Sequence, residues 1–247
     1  MFRLLCVTAH PDDEAGGFGG SLATYRDRGV ETYIICLTPG QAASHRGGHA
    51  SAEELAAVRR QEFAASCKIL NVTRGEVLNY PDAALDRTEL YQVVGELTAR
   101  IRAIRPHVIM TFGSEGAVTA HPDHCMACIF TTLAFQWAGR TNRYTDQLSN
   151  GFRPYRAQKL YYSTTIFTLP DRQPVSLAPG NAVIHIGDHL ETKIRAFKAH
   201  ETQSPLFEIF EKNARKRGQF EMFHLAASVN IGPIQPETDL FAGVVED

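Results

Sequence analysis

The sequence has no hydrophobic run long enough to cross a membrane and no excess of charge of one sign. Among its 247 residues, 25 are basic and 27 are acidic, so the formal net charge is only −2. A membrane-spanning helix needs about 20 consecutive apolar residues, and nucleic-acid binding usually shows as a basic surplus. We therefore expect neither a membrane span nor a nucleic-acid partner, and the expected ligand is a small molecule.

Cysteine is sparse and follows no pairing pattern. The five cysteines are an odd, scattered set: Cys6, Cys36, Cys67, Cys125 and Cys128. The apolar run at the start, MFRLLCV, is too short for a signal peptide, so we expect a reducing, cytoplasmic location. Cys125 and Cys128 form C-x-x-C, but because no second pair accompanies them, packed thiols are favoured over a structural zinc site.

The composition and the order of the predicted elements indicate one α/β domain over residues 1–247. Apolar residues make up 44% and charged residues 21%, which is ordinary for a globular protein. Periodicity predicts strands at 4–9, 30–38, 76–80, 107–112, 159–165 and 182–186, and helices at 14–29, 51–70, 86–104 and 188–200. Alternation of this kind predicts a Rossmann-like three-layer sandwich with a mostly parallel central sheet.

The tripeptide His-Pro-Asp occurs twice, in HPDDE at 10–14 and in HPDHC at 121–125. From composition, the expected number of such tripeptides is about 0.02. Each copy follows a predicted buried strand, and ligands bind outside the carboxyl ends of the strands in an open parallel sheet. Taken singly, either copy is equally well explained as a helix start, with aspartate as the cap and proline in the first turn. Together, the two copies favour a functional site.

The residue types in these motifs indicate a metal centre. Neutral imidazoles and a carboxylate are zinc ligands, and a catalytic zinc keeps three protein ligands and one position for water. His10 and Asp13 are three residues apart, as are His121 and His124, and residues three apart share a helix face. The adjacent Asp12 and Asp13 cannot approach one ion from the same angle, so one can bind the metal while the other faces the water.

The two HPD motifs resemble those of the LmbE-like, or PIG-L, family of zinc-dependent deacetylases, which remove acetyl groups from N-acetylglucosamine-containing compounds. Further stretches similar to this family are LTPGQA, Arg59 with Glu62, YPDAAL and KAHETQ. The resemblance implies a zinc-dependent N-deacetylase acting on an amino-sugar substrate. It also implies that Arg59 contacts substrate hydroxyls or nearby polar groups.

The resemblance implies specific roles for the residues of the two motifs. His10, Asp13 and His124 are expected to bind Zn2+, with another divalent metal such as Fe2+ as the alternative. Asp12 is expected to be the general base, and His121 to stabilise the oxyanion or protonate the leaving amine.

Several questions stay open at this stage. A non-catalytic sugar- or metabolite-binding module of the same fold is the alternative function, and release of acetate from N-acetylglucosamine conjugates separates it from an enzyme. His200 has two interpretations, because it lies at a predicted helix end, where a cation is favourable, and also within KAHETQ. The sequence is compatible with a homo-oligomer and does not identify the group attached to the amino sugar.

Overall fold

The computed structural model describes residues 1–117, 119–164 and 176–246. Its strands are β1 (Arg3–Thr8), β2 (Glu31–Cys36), β3 (Arg74–Val77), β4 (Val108–Phe112), β5 (Lys159–Ser163), β6 (Ala182–His185) and β7 (Phe220–Ser228). Within the described residues these strands form one seven-stranded sheet, in the order β3-β2-β1-β4-β5-β7-β6.

The helices are α1 (Asp13–Asp27), α2 (Ala52–Ile69), α3 (Leu90–Ile104), α4 (Pro122–Ala138), α5 (Thr145–Ser149), α6 (Leu190–Lys198) and α7 (Phe207–Arg217). Three short 3-10 helices lie at Leu85–Arg87, Gly187–His189 and Glu201–Leu206. The helix predicted at 51–70 is confirmed, and it begins with a capping box, in which the Ser51 side chain accepts from the Glu54 amide while the Glu54 side chain accepts from the Ser51 amide. None of the helices in these described ranges has the length and apolar character needed to cross a membrane.

The predicted fold class is confirmed. Strands β1, β2, β3, β4 and β5 are joined by parallel pairings. Helices α1 and α6 pack together over one face of the sheet, and α3 and α4 pack together over the other. Strand β4 is buried along its whole length, as a central parallel strand covered on both faces should be.

The far edge of the sheet differs from the prediction. Strand β7 was not predicted, and it runs antiparallel to both β5 and β6. Residues at its start alternate between exposed and buried, because antiparallel strands can leave one face to solvent. The strand predicted at 159–165 ends at Ser163, and its predicted last residue, Thr165, lies outside the described residues.

The helix predicted at 86–104 begins at Leu90, because the Glu89 side chain caps it by accepting the amides of Tyr91 and Gln92. The residues before this cap form the 3-10 helix at Leu85–Arg87.

The strand order reverses between β1 and β4. Strands β2 and β3 lie on one side of this pair and β5, β7 and β6 lie on the other. The register pairs Leu4 with Val108 and Cys6 with Met110, so the carboxyl ends of β1 and β4 lie side by side. This is the position at which α/β sheets form ligand crevices. The chain enters the first HPD motif directly after β1 and reaches the second through the loop that follows β4.

Two glycines of α1 differ in the space around them. A Cβ atom added at Gly20 would lie 2.4 Å from Cδ1 and 2.7 Å from Cβ of Ile186, whereas one at Gly16 would lie 3.6 Å from the Phe197 ring. The added atom at Gly20 would clash with Ile186, including its Cβ atom, which cannot move away by rotation of the side chain. The added atom at Gly16 would make an ordinary van der Waals contact. Gly20 is therefore required by packing, while Gly16 is not.

We predict opposite effects of alanine at these two positions. Alanine improves helix propensity by about 1 kcal/mol over glycine, so Gly16→Ala should raise the free energy of unfolding by up to that amount. At Gly20, overpacking costs about 1–3 kcal/mol and outweighs the propensity gain. Urea unfolding of both variants measures the difference. A stabilised Gly20→Ala variant would contradict the close approach of α1 to Ile186.

Candidate active site

A cavity of about 390 Å³ opens at the carboxyl ends of β1 and β4. All six residues predicted from the sequence line it: His10, Asp12, Asp13, Arg59, His121 and His124. Its remaining walls come from other loops and include Ser44, His45, Asp82, Gln203 and Leu206. The fold thus brings together residues that are more than 100 positions apart in sequence.

His10, Asp13 and His124 are buried and their ligand atoms converge. Nδ1 of His10 lies 3.5 Å from Oδ2 of Asp13, and Nε2 of His124 lies 3.1 Å from Oδ1 of the same carboxylate. A tetrahedral ion with bonds of about 2.0–2.1 Å would hold its ligands about 3.3 Å apart. The spacing of these three residues therefore fits a zinc-sized ion.

The hydrogen bonds made by the outer ring nitrogens determine which nitrogen faces the centre. Nδ1 of His124 lies 3.1 Å from the Ala117 carbonyl oxygen, so a proton on Nδ1 leaves a lone pair on Nε2. Nε2 of His10 lies 3.0 Å from Asp82 and 3.2 Å from Asp123, so Nε2 carries a proton and Nδ1 is the nitrogen left for a metal. These two nitrogens face the Asp13 carboxylate, and a cation that replaces the Nδ1 proton of His10 would be stabilised by all three groups.

Asp13 and His10 shift each other's pKa in opposite directions. Burial raises the pKa of Asp13, but His124 and His10 outweigh it and hold the pKa of the carboxyl well below its usual value. Burial lowers the pKa of His10, yet hydrogen bonds to Asp123, Asp13 and Asp82 raise it well above its usual value. A metal ion bound here must displace the Nδ1 proton of this imidazole, because metal and proton compete for the same ring nitrogen.

A second set of ligand atoms, from His10, His121 and Asp123, also lies within 4.8 Å. Both oxygens of Asp123 are already acceptors: Oδ2 accepts the Ala83 amide at 2.7 Å and Oδ1 accepts the Leu85 amide at 3.1 Å. Asp123 therefore anchors the loop after β3 and orients His10. The donor set of His10, Asp13 and His124 fits the metal better.

Asp12 is held in an unusual backbone conformation beside the expected metal ligands. Its φ is 113° and its ψ is −28°, a region that costs a non-glycine residue about 1–3 kcal/mol. Its Oδ2 lies 3.1 Å from an Nη2 atom of Arg59. Burial raises the pKa of Asp12 to about 6, against the lowering effect of the Arg59 guanidinium. The carboxyl group is thus suited to exchanging protons near neutral pH.

The Arg59 guanidinium is buried and already committed to partners within the chain. It donates to the carbonyl oxygens of Gly40, at 3.0 Å, and of Pro11, as well as to Asp12. Its predicted contact with substrate is not tested by these bonds and stays a prediction. What the geometry adds is a link between Arg59 and the carboxylate of Asp12, which the sequence did not indicate.

His121 combines a structural and a chemical position. Its Nδ1 accepts the Asp123 amide at 3.1 Å and so caps α4, with Pro122 in the first turn. Burial, His10 and His124 together lower the pKa of His121 to about 4. A neutral ring whose Nδ1 accepts must carry its proton on Nε2. His121 therefore offers a hydrogen-bond donor at the cavity, while the other copy of the motif has no side-chain cap at Asp12.

Four residues in or behind the site were not assigned from the sequence: Glu14, Asp82, Asp123 and His200. Asp82 and Asp123 contact His10, and Glu14 contacts His200 at 2.7 Å. Each lies within a stretch noted in the sequence, namely HPDDE, YPDAAL, HPDHC or KAHETQ. The stretches were therefore visible, but their contacts depend on residues distant in the chain.

The chain is similar in sequence to a known family and to named relatives. The sequence pattern of the family described as "PIG-L: GlcNAc-PI de-N-acetylase" matches residues 5–135. Diacetylchitobiose deacetylase of Thermococcus kodakarensis is 30% identical over 215 residues, which cover 86% of this chain and 75% of that protein. Mycothiol S-conjugate amidase of Streptomyces coelicolor is 28% identical over 292 residues, covering 99% of this chain and 98% of the relative.

The fold is also similar to that of a solved structure. The N,N'-diacetylchitobiose deacetylase of Pyrococcus horikoshii, determined with an inhibitor, superposes with a TM-score of 0.78 at 25% sequence identity. The match covers 90% of this chain and 83% of that one.

We predict that metal retention separates the ligands from their neighbours. His124→Ala removes one of three protein ligands and should lose most of the bound metal, whereas His121→Ala should retain it. Asp82→Asn weakens the hold on His10 and should lower metal affinity about 10- to 100-fold. Metal analysis after equilibration with buffered zinc measures all three. Loss of metal in His121→Ala, with retention in His124→Ala, would show that His121 and not His124 is the metal ligand.

Proposed function

The chain belongs to the PIG-L family, and we propose that it is a zinc-dependent hydrolase that removes the acetyl group from an N-acetylglucosamine-type amino sugar or its conjugate. The observation that carries this proposal is the convergence of His10, Asp13 and His124 in the cavity that Asp12 also lines. Three metal ligands with an adjacent proton acceptor are what metal-assisted amide hydrolysis requires.

His10, Asp13 and His124 would hold the ion. When bound, zinc supplies Lewis-acid chemistry and makes water nucleophilic at neutral pH. Asp12 accepts the proton that water releases and returns it later to the departing amine, as its pKa of about 6 favours. Arg59 holds the side chain of Asp12 in place through the contact at 3.1 Å.

His121 would meet the oxygen of the reacting carbonyl from its place in the cavity wall. Because its Nδ1 is occupied by the α4 cap, its Nε2 proton is available to the oxygen that becomes negative as the tetrahedral intermediate forms. A group with a pKa of about 4 is neutral at the working pH, so this geometry favours hydrogen-bond donation to the oxyanion over protonation of the amine. Donation of this kind strengthens in the transition state.

We extend the proposal to the substrate and to the organisation of the chain. Arg59 would contact a polar group of the sugar at the cavity wall. Residues 1–247 would form one domain, a view supported by a sheet that takes strands from both halves of the sequence. A cytoplasmic location, a homo-oligomer and the absence of a nucleic-acid partner stay predictions.

A substrate panel tests the proposed reaction. Zinc-loaded protein should release acetate from at least one of several N-acetylglucosamine conjugates, such as N,N'-diacetylchitobiose and the inositol-linked sugar. A non-catalytic binding module would instead show ligand-dependent stabilisation without turnover. Repeating the panel with iron(II)-loaded protein identifies the ion that supports the reaction. Absence of acetate with both metals, in a protein stabilised by the sugars, would contradict the hydrolase proposal.

We predict that Asp12→Asn separates chemistry from binding. The amide keeps the shape of the side chain but cannot accept a proton at neutral pH. The value of kcat should therefore fall about 10²- to 10⁴-fold, about 3 to 5 kcal/mol of barrier, while zinc content and KM change little. Asp27→Asn, at the exposed far end of α1, is the matched control. A near-parental kcat for Asp12→Asn would exclude the general-base role.

A further inference from the structure

A buried carboxylate lies directly behind Asp12. Glu14 is fully buried, and its Oε2 accepts the backbone N–H of Asp12 at 3.0 Å. This amide belongs to the residue whose φ is 113°. Glu14 therefore contacts the proposed general base through its backbone, whereas Arg59 contacts it through its side chain.

Glu14 is itself oriented by two donors from distant parts of the chain. Its Oε1 accepts Nε2–H of His200 at 2.7 Å and the Ser66 hydroxyl at 2.6 Å. The His200 side chain is fully buried, and its Nδ1 has no hydrogen-bond partner among the described residues. The imidazole thus makes this one directed contact, although it is 186 residues away from Glu14 in sequence.

The segment that carries His200 is fixed independently. The 3-10 helix at Glu201–Leu206 is anchored by Glu62, whose carboxylate accepts the Thr202 amide and hydroxyl, both at 2.7 Å. This anchor sets where His200 enters the core. Two of the similar stretches noted in the sequence, Arg59 with Glu62 and KAHETQ, therefore meet behind the first HPD motif.

We propose that Glu14 and His200 are positioning residues: the pair holds the backbone of Asp12 in its left-handed conformation and so aims the Asp12 carboxylate at the reacting water. The inference rests on the proposed hydrolase function and adds a role for two residues that touch neither metal nor substrate. A carboxylate suits this role because an anionic acceptor makes a stronger hydrogen bond to an amide than a neutral one. Strained backbone persists only where surrounding contacts over-determine it.

A residue of β7 that contacts α1 provides a matched control. Glu221 is also a buried carboxylate, and it accepts the Gly20 and Ser21 amides at 3.0 and 2.8 Å and pairs with Lys193. Glu221 therefore accepts backbone amides in the middle of α1, as Glu14 accepts the Asp12 amide at the start of the helix. Gly20 lies seven residues beyond Asp13, about 10 Å along the helix. Loss of Glu221 should disturb α1 without moving Asp12.

The kinetic experiment compares Glu14→Gln, His200→Leu and His200→Gln with Glu221→Gln in the zinc-loaded, full-length protein. Glu14→Gln and His200→Leu should lower kcat about 10- to 100-fold with zinc content and KM unchanged. His200→Gln retains an N–H donor near the position of Nε2, so its kcat should stay closer to that of the parent. Glu221→Gln should lower thermal stability but not kcat.

Equal losses of kcat in Glu14→Gln and Glu221→Gln, in proportion to lost stability, would reduce Glu14 to a structural residue. Equal rates for His200→Leu and His200→Gln would show that the donated hydrogen bond is not needed. Either result overturns the proposal.

A second measurement needs no activity. The Asp12 amide proton, which donates to a carboxylate, should move upfield in the NMR spectra of Glu14→Gln and His200→Leu, and should not move in Glu221→Gln. If the parent releases no acetate but this pattern appears, the proposed reaction is wrong and the positioning contact stands. An Asp12 amide that is unaffected by Glu14→Gln would overturn the contact itself.

Discussion

The interaction on which the site depends is the burial of the Asp13 carboxylate between two imidazoles. A charge removed from water is tolerated only when it is paired and hydrogen-bonded, and Asp13 meets this requirement with His10 and His124 at 3.5 and 3.1 Å. Each imidazole must then be oriented by its outer nitrogen, which explains Asp82 and Asp123 behind His10 and the Ala117 carbonyl behind His124. The positions of these polar groups are therefore explained by the buried charge of Asp13.

Sheet topology makes this pairing available. Neighbouring parallel strands end on the same side of a sheet, and β1 and β4 are adjacent although about 100 residues separate them in sequence. A motif placed after each strand therefore meets the other without a long loop. Substitutions in the outer loops should leave the carboxyl ends of β1 and β4 in place, because these two strands are buried in the sheet. Function in such a fold resides in the site, not in the architecture alone.

The parts of this structure that were predictable depend on local spacing. The start of α2, the central strands and the two HPD motifs follow from patterns within a few positions, whereas Arg59 was expected only from the resemblance to a family. Strand β7 was not predicted because its pairing with β5 and β6, and not its own sequence, makes it a strand. The contact between Glu14 and His200 was missed for the same reason: it joins residues 186 positions apart. Geometry across that separation is set by tertiary packing.

The helix-capping interpretation of the second HPD motif is right about the helix start and the proline in the first turn, but wrong about the cap, which is His121 and not the aspartate. A cap is ordinarily a Ser, Thr, Asn or Asp oxygen, but here the ring of His121 accepts the Asp123 amide. Because that bond occupies Nδ1, it fixes the proton of the neutral ring on Nε2, where it can meet developing negative charge. The start of α4 thus sets the tautomer of a group in the cavity, and a purely local feature of secondary structure determines what this side chain can do chemically.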